Sequence, residues 1–315
     1  MWAFAARRAA MLVGALLVSS FVVFASLDLA PGDPLSTLSG GRTLPPEAVA
    51  QLRAQYHLDD PFLERYVHWL GNVLHGDLGT SIAFRESVTS VIGARIGTTI
   101  DLVLYAAILI IVFGVGLGVL SGLRKGLLDS SIVVVTTVFA AVPSFVAAIV
   151  LLSVFSVNLG WFPALGAGDG FVDGIKHLTL PAIALALSAM AIVVRVTRVA
   201  VRTEMGREHV QTAVSRGIPY PQVVRRHVLR NAAIPVTTVV GITITSLIAL
   251  SAVVERAFSL DGLGAALVQA ALSKDFAVVQ GIALIFVAAF VVANAIVDLL
   301  YAFMDPRVTI GSRAA

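Results

Sequence analysis

The sequence predicts an all-α integral membrane protein with six transmembrane helices and a long external loop after the first. Three observations predict it. The chain is 58% hydrophobic and only 13% charged, against about 25% charged residues in a soluble domain. Six charge-poor apolar windows approach or exceed the roughly 20 residues that a helix needs to cross a hydrocarbon core of about 30 Å. Lys and Arg gather in alternate connections between those windows. The same composition excludes other classes. With no cysteine, disulfides, Cys-ligated metals and thiol catalysis are ruled out. A net charge of +3 gives no reason to expect a nucleic-acid partner.

The windows run in order. Residues 9–27 lie between Arg8 and Asp28. Arg7 and Arg8 resemble the basic start of a signal peptide, but the apolar run exceeds the usual 7–15 residues and Asp28 and Asp33 stand where small residues would mark cleavage, so an uncleaved helix is expected. Residues 102–123, between Asp101 and Arg124, carry Gly114, Gly118 and Gly122 at intervals of four. Small residues at that spacing let two membrane helices approach closely. Residues 130–168 hold one span and a loop from near Val157, with Pro143 as a candidate kink. Residues 178–194 make a short fourth span, with Pro181 as a second candidate kink and a helix free to run on past Arg195. Residues 232–254 and 277–297 complete the set.

Charge orients the spans. Six crossings put both termini on one side, with Arg7, Arg8, Arg124, Lys125, the eight arginines of residues 195–230, Arg307 and Arg313. The other side holds Lys176, Arg256, Lys274 and five arginines spread over residues 28–97, among many acidic residues. Both termini are therefore expected in the cytoplasm and the 28–97 loop outside. That loop is too long for an idle connector. Pro45 and Pro46 suit the start of a helix over 47–57. Asp60 can cap a second helix with Pro61 at its first position. Phe62, Tyr66, Trp69, Leu70 and Val73 then fall on one apolar face, which either lies on the membrane or the bundle, or docks an external partner.

Catalytic signatures are missing. There is no G-x-x-x-x-G-K-[ST], no H-E-x-x-H and no G-x-S-x-G, so an enzyme reading has no chemistry to stand on. His57, His68 and His75 share the external loop without ligand-like spacing, and ordinary surface histidines are expected rather than a metal site. No cofactor is expected on this chain. Asp101 and Asp298 sit near span ends and no acid or base stands mid-span, so the proton relay of a secondary transporter has no visible parts. A membrane-anchored receptor or scaffold is the remaining class.

The positive signal is the Arg-rich stretch from Arg195 to Ala233. Arg195, Arg198 and Arg202 extend the fourth helix out of the bilayer. Residues 207–217 form a short helix with Gly217 at its end, Pro219 and Pro221 enforce a turn, and residues 222–231 lead into the fifth span. A positive-inside anchor needs charge but no small-residue turn, so this reads as a compact helix–turn–helix knob. Ala213 and Gly217 stand at A-x-x-x-G spacing, with Gln211 and Thr212 in place of Glu and Ala, and His227 to Pro235 reads His-Val-Leu-Arg-Asn-Ala-Ala-Ile-Pro. The segment resembles the coupling loop of type I ABC importer permeases, in the branch that imports dipeptides, oligopeptides and nickel.

Further strings agree with that branch: Ala30-Pro31-Gly32-Asp33-Pro34, His57-Leu58-Asp59-Asp60-Pro61, Gly76-Asp77-Leu78-Gly79-Thr80-Ser81, Trp161-Phe162-Pro163, Leu178-Thr179-Leu180-Pro181, and Glu255 to Gly264, where Asp261 replaces the family's Pro. The resemblance implies an N-terminal helix and extracytoplasmic loop over 1–93, a type I transmembrane domain over 94–304 with its coupling helix at about 205–222, and a cytoplasmic tail over 305–315. It implies a permease of the bacterial inner membrane, with a second homologous permease, two ATPase subunits carrying ATP and Mg, and an extracytoplasmic substrate-binding protein as partners. Glu208, Gln211, Thr212, Ala213, Arg216, Gly217 and Ile218 would meet the ATPase. Glu255, Phe258, Asp261, Gly262 and Gly264 would form an external gate or binding-protein contact, unless that segment is a plain hairpin connector. Di- or oligopeptides are the implied cargo, with nickel, haem and glutathione as alternatives.

Overall fold

The computed structural model describes residues 2–28, 45–47 and 60–304. Its main helices are α1 (Trp2–Asp28), α2 (Phe62–Leu74), α3 (Val88–Leu123), α4 (Leu127–Ala141), α5 (Ser144–Asn158), α6 (Gly170–Met205), α7 (Glu208–Ser215), α8 (Tyr220–Ala257), α9 (Leu263–Leu272) and α10 (Phe276–Met304). Short π-helical stretches interrupt α3 at Ile110–Val115, α5 at Leu152–Asn158 and α8 at Val224–Leu229. The predicted helix beyond Glu47, the 30–34 string, the 57–59 positions and the 305–315 tail lie outside the described residues.

Among the described residues four helices, α3, α6, α8 and the Phe276–Val297 part of α10, are long and apolar enough to cross a bilayer. Helices α4 and α5 meet the same measure only as a pair bent by 100°, which would make five, and the Ala10–Ala25 part of α1 is apolar but shorter. Pro143 thus breaks the third predicted span instead of kinking it. The residue before a proline is pushed out of the helical region, and proline itself cannot donate a backbone hydrogen bond. Val142 is accordingly extended (φ −88°, ψ 117°), α4 ends at Ala141, and α5 restarts with Pro143 as its N-cap. Pro181 has no such effect, and α6 continues through it for 36 residues, well past Arg195.

The described chain forms two units, one within residues 1–97 and 262–291, the other within 98–261 and 292–315. In the first, α2 lays its predicted face on α1. Phe21 meets Phe62 edge-on at 5.7 Å, and Phe24 lies 5.6 Å from Tyr66 and 5.4 Å from Trp69. Such pairs contribute about 0.5–1.5 kcal/mol each beyond buried area. The Tyr66 hydroxyl lies 2.8 Å from Ser20 Oγ, which itself donates to Leu17 O. Pro61 occupies the N-cap, so α2 starts one residue later than predicted. A second cluster joins Val88, Val91 and Ile92 to Leu263, Ala266, Ala270, Val278 and Ile282. Buried Asp275 ties this cluster to the Gly76–Ser81 string, accepting from Ser81 Oγ at 2.6 Å and Ala83 N at 2.9 Å.

In the second unit α6 is the axis, packed by α3, α4, α5 and α8. Leu102, Ala106 and Ile110 of α3 meet Leu185, Ala186, Ala189 and Val193 of α6 and Leu247 and Val254 of α8 in one buried cluster. The glycines of α3 set the approach. A Cβ on Gly118 would sit 2.5 Å from Thr197 Cβ and 2.8 Å from Val194 O, and one on Gly122 would sit 2.7 Å from Val201 Cβ. Gly114 is less tight, at 3.2 Å from Met190 Cγ. Some hydroxyls inside the spans bond back to their own helix, as Thr136 Oγ1 does to Ile132 O and Thr245 Oγ1 to Gly241 O. That satisfies them where no water reaches.

A Gly118→Ala variant is expected to lose about 1–3 kcal/mol of stability through overpacking against α6. Gly116→Ala, where an added Cβ meets nothing within 4 Å, is expected to leave stability unchanged. Thermal unfolding of the two purified variants in detergent checks the contrast.

Candidate functional site

Helix α6 leaves the apolar packing at its C-terminal end and turns at Gly206 and Arg207, where Arg207 N bonds Glu204 O at 3.1 Å. Extended Arg207 (φ −72°, ψ 146°) starts α7. Along α7, Val210 and Ala213 point inward and join Val201, Val223, Val228 and Ala232 in a small buried cluster. Glu208, Gln211, Thr212 and Ser215 recur at helical spacing on the opposite, exposed face. Glu208 sits in the first turn, where its charge suits the helix dipole.

Helix α7 ends in a Schellman motif. Gly217 N donates to Val214 O at 2.9 Å and Ile218 N to Ala213 O at 3.3 Å, while Ile218 packs on the same cluster as Ala213. The motif needs a left-handed residue, and Gly217 has φ +73°. A Cβ there would meet nothing within 4 Å, so the demand for glycine is conformational and not a matter of space within this chain. Pro219 then caps the next helix. Pro221 falls in the first turn of α8, where a missing N–H costs nothing, and not in the connecting turn. The predicted second knob helix is therefore the start of α8 itself.

Of the residues predicted to meet a motor, Glu208, Gln211, Thr212, Arg216 and Gly217 are exposed, Ala213 is buried and Ile218 is half-buried. Polar contacts hold α7 and the base of α8 together behind them, and these two form an elbow. His209 Nε2 lies 3.4 Å from His227 O, 3.3 Å from Asn231 Nδ2 and 3.9 Å from Glu204 Oε2. Glu204 Oε1 also faces Arg207 Nε at 3.5 Å.

One group of residues escaped sequence reasoning. In the first turn of α4, Asp129 is only 8% exposed. Arg198 of α6 grips it with both arms of its fork, Nε to Oδ1 at 2.6 Å and Nη2 to Oδ2 at 2.8 Å. Arg202 Nη2 reaches Oδ2 at 3.0 Å and the Arg124 carbonyl at 3.0 Å. Ser121 Oγ, near the end of α3, donates to Oδ1. Arg198 and Arg202 stand four apart and so share a helix face, and that spacing was the available signal. Their partner lies far away in sequence, which no local pattern reveals.

The external set lies at the other end of α8, whose 38 residues measure roughly 57 Å. Glu255, in its last turn, is wholly buried and accepts from Thr99 Oγ1 at 2.8 Å. Phe258 is buried too, and its carbonyl accepts from Gly166 N at 3.2 Å. Asp261 is exposed. Gly262 is the N-cap of α9, an apolar helix of 10 residues that includes buried Gly264 and is too short to cross a bilayer. Of the five, Asp261 is exposed and the other four are buried.

Residues 114–310 match the family of binding-protein-dependent transport system inner membrane components, and residues 1–103 match the N-terminal region that accompanies it. The oligopeptide transport system permease protein AppB of Bacillus subtilis (strain 168) is 36% identical over 315 residues, covering 98% of this chain and 99% of that one. The di/tripeptide transport system permease protein DppB of Pseudomonas aeruginosa (strain UCBPP-PA14) is 32% identical over 332 residues, with 98% and 99% covered. Among solved structures, the inward-facing MetNI methionine ABC transporter shares the fold at a TM-score of 0.55 and 17% identity, covering 68% of this chain and 96% of that one. The helical framework is that of type I ABC importer permeases, and the chain belongs to the family of binding-protein-dependent transport system inner membrane components.

Proposed function

We propose that this chain is a membrane-spanning permease subunit which, with a second homologous permease, forms the translocation pathway of an ATP-driven importer of di- or oligopeptides. The observation that carries this reading is similarity over nearly the whole chain to permeases named for oligopeptide and di/tripeptide transport. The chain hydrolyses nothing itself. ATP and Mg belong to two separate ATPase subunits, and an extracytoplasmic binding protein delivers the cargo. The protein sits in the bacterial inner membrane with both termini in the cytoplasm, crossing it six times when α1 and the broken α4–α5 pair each count as a span. Residues 1–93 form the N-terminal helix and external loop, 94–304 the transmembrane domain and 305–315 the cytoplasmic tail.

The exposed face of α7, from Glu208 through Gln211, Thr212 and Arg216 to Gly217, enters a cleft on one ATPase. Buried Ala213 and half-buried Ile218 shape that face from behind. The tight seam between α7 and the base of α8 supports this role, because a rigid knob transmits a push that a loose loop would absorb. At the outer end, Asp261 is the exposed member of the set and the candidate contact for the binding protein, while Glu255, Phe258, Gly262 and Gly264 hold the turn into α9.

Reconstituted with the second permease, the ATPase pair and the binding protein, the complex is expected to accumulate labelled dipeptide only with ATP present. Uptake of nickel, haem or glutathione without peptide would reassign the cargo, and no flux of any solute would remove the importer reading. Placing a side chain at the left-handed Gly217 is expected to cost about 1–2 kcal/mol. Gly217→Val should therefore lose uptake while the protein still inserts, whereas Gly217→Asn, a residue that tolerates this conformation, should keep most of it. Full uptake by the valine variant would take the elbow out of the mechanism.

A further inference from the structure

We propose that Asp129, gripped by Arg198 and Arg202, is a strut that makes the elbow, α6 and the broken α4–α5 pair move together, so that these three are positioning residues for coupling. The proposal rests on the importer reading above and adds to it the route by which the elbow reaches the membrane helices.

Three observations carry it. The first is where the contacts fall. Arg198 and Arg202 lie toward the end of α6, ahead of the turn into α7, so a force on the elbow reaches them through α6 as well as passing into the base of α8. The second is what holds α4. Its only buried residues are Asp129 and Thr136, and Leu127, two positions before Asp129, is 88% exposed. The hydroxyl of Thr136 is turned back to its own helix at Ile132 O. Helix α4 therefore has no buried apolar side chain against its neighbours, and the side-chain link that fastens its start to α6 is the Asp129 cluster. Helix α3 differs, since Gly118 and Gly122 already seat it against α6. The third is the form of the link. Donors from two helices converge on one carboxylate: Arg198 Nε and Nη2, Arg202 Nη2, and Ser121 Oγ from α3. A bidentate Arg–carboxylate fork fixes direction as well as distance.

Stability alone is a weak reason for such a group. A buried ion pair often contributes no more than well-packed apolar residues of the same volume would. What it supplies is a fixed geometry, and here that geometry joins the driven end of α6 to the start of α4. Beyond α4 lies the 100° break at Pro143, so a displacement of Asp129 swings a jointed arm and not a straight rod.

The test uses the complete transporter in proteoliposomes, with ATP hydrolysis and solute uptake measured on the same preparation. Asp129→Ala and Arg198→Ala are each expected to raise the ATP consumed per solute imported by roughly tenfold, within the usual span of coupling between distant sites. If alanine prevents assembly, Asp129→Asn, which keeps the volume and one acceptor oxygen, is expected to show the same rise. A merely structural role predicts instead that hydrolysis and uptake fall in step with the amount of assembled complex, and that outcome overturns the proposal. Because this chain has no cysteine, an Asp129→Cys, Arg198→Cys pair can be bridged by a bifunctional methanethiosulfonate, which ties each sulfur through a reducible disulfide. The bridge is expected to restore the ratio, and reduction to abolish the rescue. A bridged complex that stays as uncoupled as the unbridged one refutes the strut. The unmutated complex tests the importer reading separately, since the ratio can be taken with whatever solute that complex moves.

Discussion

Lipid gives two helices no hydrophobic reason to associate, because hydrocarbon tails are as apolar as leucine. Helices in a bilayer must instead be held by close van der Waals fit and by polar groups that find each other. Both devices converge on α6. Gly118 and Gly122 bring α3 so near that a single methyl would collide with Thr197 or Val201. Asp129 brings α4 to the same helix through arginines. The α7 elbow is carried between the end of this helix and the base of α8.

The elbow shows the same economy on a smaller scale. Helix α7 has eight residues, too few to be stable alone in water. It persists because Val210 and Ala213 bury against the base of α8, and because the Schellman closure satisfies its last carbonyls. The exposed face carries little structural duty, with Gln211 Nε2 reaching Gly206 O at 3.4 Å. Rigid support behind a polar, accessible face is what a contact that must transmit force requires.

At the other end of α8 the arrangement is reversed. Glu255 and Phe258 are used up in internal packing, with Thr99 and the Gly166 backbone as partners. Asp275 performs a like duty in the other unit, where it draws the Ser81 region onto the start of α10. Glu255 and Asp275 thus act as fasteners. A motif that looks like a recognition string in sequence can be spent largely on holding turns in place.

The sequence by itself determined the class of solvent, the approximate spans, the helix α2 with its aromatic face, the glycine seam on α3 and the turn at Gly217. Each of these rests on local information: apolar length, periodicity, or a residue type with one conformational talent. Tertiary structure alone decided which helices the glycines join, that Pro143 divides a helix while Pro181 does not, and that Glu255 faces inward. It also decided that Asp129 pairs with arginines some seventy residues away. The physical reason is common to all of these. In a membrane protein the lipid-facing and protein-facing sides of a helix are both apolar, so the pattern that identifies a span carries no record of its neighbours.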